Sequence, residues 1–349
     1  MRIIGLWNGD YLRSIGSYQS MNGAIMLPYN SETNFSGIVT PASAQHLSVA
    51  RTINGSTRYG LSLKPSGTNN QDLSICLVFP ALNELTAFKT AGVKKHYIGV
   101  RVIPQNVATD GRLLHFGGMN GAYVTATPGV ECFIEIVSDL TTNTRQTYVN
   151  GSAFFNTTDL ANVADRVHIG NYNSTVNKLL TAASHNFDVI DIYVAVAETD
   201  EDAAVPRLGK MNIKTATLNH VTNDAKFTPV PKDYDTIPKI LTMTRSASGS
   251  TNVHVLTDSG QSKMGLHWDK PTDGTEVLGA VLQVATMKPA SAQAKTVVSM
   301  GNTSFGPLMY PDTATWLAYW PVSIPTPEGG WSEDAIANLD IKIGSERIL

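Results

Sequence analysis

Charged residues are scarce in this sequence. Lys and Arg number 26 and Asp and Glu 29, so 16% of the 349 residues are charged, against about 25% in an average soluble domain. A helical bundle, a coiled coil and a highly charged disordered chain are excluded by this composition. The net charge is −3 and no run of Lys or Arg occurs, so the basic stripe of a nucleic-acid-binding protein is also missing.

Long apolar runs are missing as well. No stretch approaches the roughly 20 apolar residues that span a bilayer as a helix, so we expect no membrane insertion. The apolar run at the N-terminus is interrupted by Asn8, Gly9 and Asp10, which leaves it shorter than the core of a signal peptide. We therefore expect the chain to be made in the cytoplasm and kept there until it assembles or is released.

Only two cysteines occur, Cys76 and Cys132, each within an apolar run. Their separation fits no metal or redox motif. We predict buried free thiols, because free cysteine packs as a small hydrophobe; a disulfide between them is the alternative. The eight histidines show no pair at the spacing that places two imidazoles on one ion. We therefore predict no metal site and no cofactor.

Residues that favour strands and tight turns fill the sequence instead. Glycine occurs 28 times, and pairs such as Asn150-Gly151 separate short segments in which apolar and polar residues alternate. In one segment Tyr59, Leu61 and Leu63 fall on one face, as the two-residue period of a strand requires. Further strands are predicted at 73–79, 97–103, 132–137, 167–169, 189–196, 240–244, 252–256, 277–285, 296–300, 316–320 and 339–343. This rhythm predicts an all-β protein of antiparallel β-sandwich (jelly-roll) domains.

Helices are predicted to be few and short. The first, at 83–91, is stopped by Gly92. The second is capped by Thr199, and the third, at 332–338, is capped by Ser332 and carries acidic residues in its first turn.

The domain boundary is predicted where periodicity fades and three prolines cluster. We expect a first sandwich at 1–215, a Pro-rich linker at 216–238 and a second sandwich at 239–349. Residues 1–30 are either an arm that packs on a neighbouring subunit or the first strand of the same sandwich.

Carboxylate pairs were considered because sandwich-fold glycosidases use two on one strand face. Glu131 and Glu135 have the right parity, but Phe133 stands between them where an acidic residue is expected, so we place both on the solvent face of a half-buried strand. Asp188 and Asp191 are three residues apart and should point to opposite sides of a strand; a calcium loop around Asp165, Asp188 or Asp191 is the alternative. With no nucleophile elbow and no phosphate-binding loop, we predict that the protein is not an enzyme.

Four segments of the first domain carry a resemblance. They begin at Glu131, Gln146, Arg166 and Phe187 and read ECFIEI, QTYVNGS, RVHIGN and FDVIDIYVA. In this order they resemble the concanavalin A-like jelly roll, and its laminin-G-like members in particular. The resemblance covers 34–209 and implies a β-sandwich of a kind that often holds a glycan. The calcium ligands of the laminin-G family do not map onto this chain, so it implies no metal.

The C-terminal region carries a second resemblance. Residues 325–344 read PTPEGGWSEDAIANLDIKIG, and this ending is similar to that of many phage virion proteins. Together with the Lys-poor, Ser/Thr/Asn/Gly-rich composition, it makes the chain resemble a bacteriophage structural protein of the tail, fibre, collar or capsid-decoration type. The resemblance implies a non-enzymatic subunit, located in the virion after synthesis in the host cytoplasm, that contacts other virion proteins and forms homo-oligomers.

A carbohydrate-binding adhesin that recognises a host surface glycan is the alternative function. The candidate glycan contacts are Asn120, Tyr123, Asn150 and Tyr172. The candidate assembly contacts are Trp7, Tyr11, Trp316 and Trp320.

Overall fold

The computed structural model describes the chain in segments. These are residues 1–8, 24–25, 37–39, 44–53, 55–65, 75–78, 85–105, 112–116, 123–125, 127–157, 166–169, 171–173, 178–180, 187–230, 236–237, 254–257, 263–272, 274, 276–286, 294–308 and 318–347. The chain divides into two compact units, Met1–Ile213 (unit 1) and Lys214–Leu349 (unit 2). No helix in the described segments has the length and apolar character needed to cross a membrane.

Unit 1 is built from strands joined by turns. Its described strands are β1 (Arg2–Trp7), β2 (Ala24–Ile25), β3 (Gly37–Val39), β4 (Ala44–Ile53), β5 (Ser56–Pro65), β6 (Ile75–Val78), β7 (Lys95–Pro104), β8 (Arg112–Phe116), β9 (Tyr123–Thr125), β10 (Cys132–Asp139), β11 (Thr144–Val149), β12 (Ser152–Thr157), β13 (Arg166–Ile169), β14 (Asn171–Asn173), β15 (Lys178–Leu180) and β16 (Phe187–Ala197). Its two described helices are α1 (Thr86–Thr90) and α2 (Asp200–Ala204).

Two antiparallel sheets account for most of these strands. The first sheet runs β12-β11-β10-β7-β16-β5-β4, with β1 paired to β16 beside this path. The second sheet runs β2-β3-β6-β13-β8-β9, and β14 pairs with β15. Each strand pairing resolved in the described segments is antiparallel, which confirms the all-β prediction.

The two faces of the first sheet differ in polarity. Val100 and Val102 on β7 share one face with Ile134 on β10 and Ile192 on β16, and all four are buried. Such a continuous apolar face is what a sandwich core requires. The opposite face carries charged and aromatic side chains at the alternating positions. Successive side chains of a strand point to opposite faces, so polar and apolar residues are separated between the two faces.

Local turn and cap signals form as predicted. Asn150 and Gly151 both have positive φ, 50° and 87°, as the tight hairpin turn between β11 and β12 requires. Thr199 caps α2 by accepting a hydrogen bond from the Asp202 amide at 3.1 Å. Gly92 follows α1 with φ 88°, a left-handed stop that lacks the penalty of a side chain.

The N-terminal residues form a strand of unit 1. β1 pairs with β16, where Trp7 lies opposite Ile192, and the Met1 ammonium forms an ion pair with Asp202. Of the two alternatives left by the sequence, the first strand of the same sandwich is correct for residues 2–7.

Unit 2 is also antiparallel β-structure. Its described strands are β17 (Leu218–Thr222), β18 (Phe227–Val230), β19 (His254–Thr257), β20 (Lys263–Trp268), β21 (Val281–Thr286), β22 (Ala294–Met300), β23 (Thr303–Leu308), β24 (Ala318–Ser323) and β25 (Ile341–Arg347), with one described helix, α3 (Glu333–Ala337). A five-stranded sheet runs β17-β20-β25-β22-β23, and β18 pairs with β19 and β21 with β24.

A single described apolar core joins these sheets to α3. Ser332 caps the helix as predicted, accepting from the Ala335 amide at 3.0 Å. The helix then buries Ile336, against which Trp331 packs from the rim of the core. The core residues are Leu218, Phe227, Ile237, Met264, Leu266, Val284, Val298, Val322, Ile324, Ile336, Leu339 and Ile341.

The segment 216–238 differs from the extended linker expected for it. It contains β17 and β18, and it contributes Leu218, Phe227 and Ile237 to the core of unit 2. Prolines are compatible with an edge strand, and Pro229 lies within β18, opposite Val255. Pro229 therefore lies in a short strand pair rather than in a spacer, and Pro231 and Pro238 lie outside the described residues.

Candidate functional site

The polar face of the first sheet gathers most of the buried charge in unit 1. Asp188 and Asp191 on β16 both belong to it, although three-residue spacing predicted opposite sides. The ladder places Asp188 opposite Ile103 and Asp191 opposite Arg101, with a register shift between them. Ile190 is the extra residue of this bulge, and a bulge moves the following side chain to the other face. The prediction of opposite faces was therefore wrong.

Three arginines neutralise this face. Arg51 donates to Asp188 Oδ2 at 2.6 Å. Arg58 holds both oxygens of Asp191, at 2.6 and 2.7 Å. Arg101, which is buried, lies 3.3 Å from Asp191 and donates to Glu131 at 3.0 Å. Pairing of this kind is what permits carboxylates to be buried, because each isolated charge would cost several kcal/mol.

Glu135 is buried on the same face, contrary to the solvent-facing position expected for it. Its neighbour in the ladder is Gly99 on β7, and Gly99 in turn faces Tyr193 on β16. A Cβ on Gly99 would lie 2.1 Å from the tyrosine ring, so the glycine leaves the space in which the ring lies. The Tyr193 hydroxyl thereby reaches across β7 and donates to Glu135 Oε1 at 2.7 Å.

A chain segment without helix or strand covers this face. Residues 205–213, here called the strap, follow α2. The backbone amides of Leu208 and Gly209 donate to Glu135 Oε1 at 2.6 and 3.2 Å. Lys210 forms an ion pair with Glu131 at 2.6 Å, which accounts for the second carboxylate of the predicted pair.

The strap carbonyls are held by donors from two strands, β7 and β5. Tyr97 donates to the Val205 carbonyl at 2.8 Å and Arg101 to the Met211 carbonyl at 2.9 Å. Arg58 donates to the Ile213 carbonyl at 3.2 Å. Backbone polar groups that lack a ladder partner need such bonds when they are covered. The charged face therefore supplies the hydrogen bonds that the strap, having no sheet partner, cannot make with another strand.

Burial sets the protonation chemistry of this face. Removal from water raises the pKa of Asp191 to about 6, a shift that the guanidinium groups of Arg58 and Arg101 oppose. Burial and the Glu135 carboxylate raise the pKa of Tyr193, which keeps its hydroxyl a donor. On the other face, burial raises the pKa of the Cys132 thiol to about 11. Cys132 is free and buried, as predicted.

The arrangement favours holding a segment in place over proton transfer to a substrate. Glu131, Glu135, Asp188 and Asp191 each accept from an arginine, a lysine, a tyrosine or the strap. A general acid and base must instead reach the proton that is transferred. Sequence reasoning missed this network, although Arg101 gave a signal as the one charged position within the apolar run YIGVRVI.

The predicted glycan contacts are found in separate places. Asn150 is committed to the fold, because its side chain accepts from the Phe133 amide at 2.8 Å and its own amide donates to the Phe133 carbonyl. Tyr123 lies on β9 opposite His115, and Tyr172 lies on β14 opposite Leu179. Asn120 lies outside the described residues.

The predicted assembly contacts are likewise found in separate places. Trp7 is 1% exposed and belongs to the core of unit 1, so it is not available to a neighbouring subunit; a strand position paired to β16 explains this burial. Trp320 lies on β24 opposite Val284. Tyr11 and Trp316 lie outside the described residues.

Unit 2 brings together two histidines that their sequence spacing did not connect. His220 on β17 and His267 on β20 are direct cross-strand neighbours. Their rings are stacked, with centroids 4.3 Å apart and planes at 5°. The spacing of 47 positions carries no motif, so only strand register could reveal the pair.

Comparison with known proteins finds similarity at the level of structure alone. No protein-family model matches the chain, and no curated protein matches it. Domain 4 of an extracellular arabinanase from Geobacillus stearothermophilus, in complex with arabinotriose, is 14% identical with a TM-score of 0.29, and the match covers 56% of this chain and 93% of that one. Lectin I from Ulex europaeus is 8% identical with a TM-score of 0.27, covering 45% and 92%.

A sialidase is also among the similar structures. It is 14% identical with a TM-score of 0.25, and the match covers 47% of this chain but 18% of the sialidase. At these identities and scores, none of the similarities assigns a function. Nothing among them points to a phage virion protein, so the virion, tail and capsid-decoration assignments stay predictions. The conclusion that the strand pairing supports is an all-β protein of jelly-roll character.

Proposed function

We propose that this chain is a non-catalytic carbohydrate-binding protein, and that the second sheet of unit 1 holds the ligand. The observation that carries the proposal is a row of polar residues on three neighbouring strands of that sheet. His168 on β13 lies opposite His115 on β8, and His115 lies opposite Tyr123 on β9. Strands are about 4.8 Å apart, so the row spans about 10 Å, comparable to a disaccharide.

Apolar residues alternate with the histidines along β8 and β13. Leu114 and Phe116 on β8 share the other face with Val167 and Ile169 on β13, an apolar set of the type that packs in a sandwich core. His115 and His168 therefore occupy the positions that alternate with this apolar set. Tyrosine and imidazole rings combine a flat apolar surface with a polar edge, which suits a ligand made of hydroxyl groups and C–H faces.

The state of the first sheet favours binding over turnover. Its polar face is covered by the strap, and its four buried or half-buried carboxylates serve as acceptors within the fold. A glycoside hydrolase needs a carboxylic acid and a second carboxylate facing the sugar. The engagement of these groups supports the non-catalytic part of the proposal.

Binding of the full chain to a glycan array tests the proposal. We expect a defined set of glycans to bind, and Tyr123→Ala and His115→Ala to weaken binding by about tenfold, as loss of about 1.4 kcal/mol would produce. Tyr59→Ala is the matched control, because Tyr59 is an exposed tyrosine of the first sheet and should leave binding unchanged. A blank array, or equal loss in the control, contradicts the proposal.

A further inference from the structure

We propose that unit 2 binds a transition-metal ion of the Zn²⁺ type through His220 and His267. The two residues are paired across β17 and β20, and their rings are stacked at 4.3 Å. His220 is exposed and His267 is half-buried, so an ion has access to the pair from solvent. Neutral imidazole is the commonest metal ligand in proteins.

Thr222 and Gly265 lie next to the two histidines, on the same face of the sheet. The Thr222 hydroxyl lies 3.0 Å from His267 Nε2. Gly265 is opposite Thr222 in the ladder, and a Cβ at Gly265 would lie 2.6 Å from the hydroxyl. The missing side chain therefore leaves Thr222 room to contact the imidazole.

The contact between Thr222 and His267 resembles the hydrogen bonds that support histidine ligands in metal sites. Histidines that bind metals generally donate their other ring N–H to a nearby acceptor, which fixes the ring and its tautomer. With Nε2–H of His267 donated to Thr222, the Nδ1 atom retains its lone pair for the ion. Thr222 is accordingly a positioning residue for His267.

Binding of a shared ion requires one histidine ring to change its orientation. Zn–N bonds of about 2.0–2.1 Å in tetrahedral geometry place two ligand nitrogens about 3.3 Å apart. In the stacked pair the ring planes are 5° apart, so the lone pairs, which lie in the ring planes, do not meet at one point. The exposed His220 ring therefore has to turn out of the stack about its side-chain torsions before both residues bind the same ion. Imidazole ligands select Zn²⁺, Ni²⁺ and Cu²⁺, whereas Ca²⁺ and Mg²⁺ require oxygen ligands.

The neighbouring charges permit a cation. Lys342 lies opposite Gly265 on β25, but its ammonium group is paired with Asp340 at 3.2 Å. Within the described segments no group of three or more His, Cys, Asp or Glu is placed to hold a metal ion. The site therefore supplies two protein ligands, and water completes the coordination.

Isothermal titration calorimetry of the full chain with ZnCl₂ and NiCl₂ tests this site. We expect one saturable equivalent of each metal and no saturable heat with CaCl₂. His220→Ala and His267→Ala should each abolish the equivalent. Thr222→Val should weaken binding by about tenfold while keeping the stoichiometry, as the loss of an outer-shell partner does.

Two further variants keep the result interpretable. His254→Ala changes another histidine of unit 2 and should bind zinc as the wild type does. His220→Cys restores a ligand of a type that zinc accepts, and we expect it to bind where His220→Ala does not. Far-UV circular dichroism establishes that each variant is folded. The proposal is overturned if wild type shows no saturable heat, or if both alanine variants retain it.

Discussion

The two units treat buried polarity in opposite ways. Unit 1 buries Arg101, Glu135, Asp188 and Asp191 on one face of a sheet. In unit 2, the buried polar residues among the described segments are hydroxyl side chains, those of Thr296, Ser299 and Ser345. Its ion pairs lie at the surface; the side chains of Lys342 and Asp340, for example, are 38% and 58% exposed.

The difference follows from what covers each sheet. Most core residues of unit 2 lie on paired strands and on α3, where ladder and helical hydrogen bonds engage backbone groups. In unit 1 the strap lacks such partners, so charged side chains take their place. Burying an ion pair gains little stability by itself, whereas removing one member leaves an uncompensated charge. The charged face therefore acts chiefly to hold the strap in one position.

Breaking the network in unit 1 is expected to have the largest effect. Arg101→Ala removes one of two cationic partners from both Asp191 and Glu131, which keep Arg58 and Lys210. We expect it to lower the free energy of unfolding by about 3 kcal/mol, the lower end of the range for breaking a buried pair. Asp340→Asn is the corresponding change in unit 2, and an exposed pair should cost less than about 1 kcal/mol. Hydrogen exchange of peptides from each unit measures both. Equal costs would remove the distinction between the units.

Weakening one strap contact should produce a smaller and local effect. Glu135→Gln keeps the shape of the side chain but replaces an oxygen acceptor by an amide donor facing strap N–H groups. We expect a loss of about 2 kcal/mol and faster hydrogen exchange at Leu208 and Gly209. Exchange in the β20 and β25 peptides of unit 2 serves as the internal control. Unchanged protection of the strap amides would show that Glu135 does not hold this segment.

The pH dependence of unit 1 gives the mildest test. Because the pKa of Asp191 is about 6 in the folded protein and 3.8 without the fold, the folded state holds more protons between these values. The contribution of this group to stability is therefore full below about pH 4 and is lost as pH rises through 6, by about 1 kcal/mol per pH unit.

Asp191→Asn isolates that contribution. Thermal unfolding of the wild type and the variant is compared at intervals from pH 4 to pH 6.5. We expect the difference between their unfolding free energies to change with pH in the direction given above. A difference that stays constant across this range would mean that Asp191 does not titrate there.

The local elements were largely readable from the sequence. Alternation placed β5, β7, β10 and β16, and Asn150-Gly151 and Ser332 marked a turn and a cap, because strand period and turn chemistry act over a few residues. The shortest-range signals were the most accurate.

Two wrong predictions concern side chains whose position depends on a segment that is distant in sequence. Ile190 inserts a bulge that moves Asp191 to the face of Asp188, and no local pattern announces it. Glu135 was placed in solvent because its strand alternates, whereas the strap that covers it comes more than 60 residues later. Both cases depend on a partner that is distant in sequence.

The sequence by itself determined the all-β class of this protein, since few charges, many turn residues and a period of two exclude the other classes. Tertiary structure decided what its polar residues do. Register and one bulge placed three arginines and four carboxylates on one face, to which the strap is bonded, and register alone stacked His220 on His267. Cross-strand contacts are set by pairing between distant segments, and the order of residues along one strand does not contain that information.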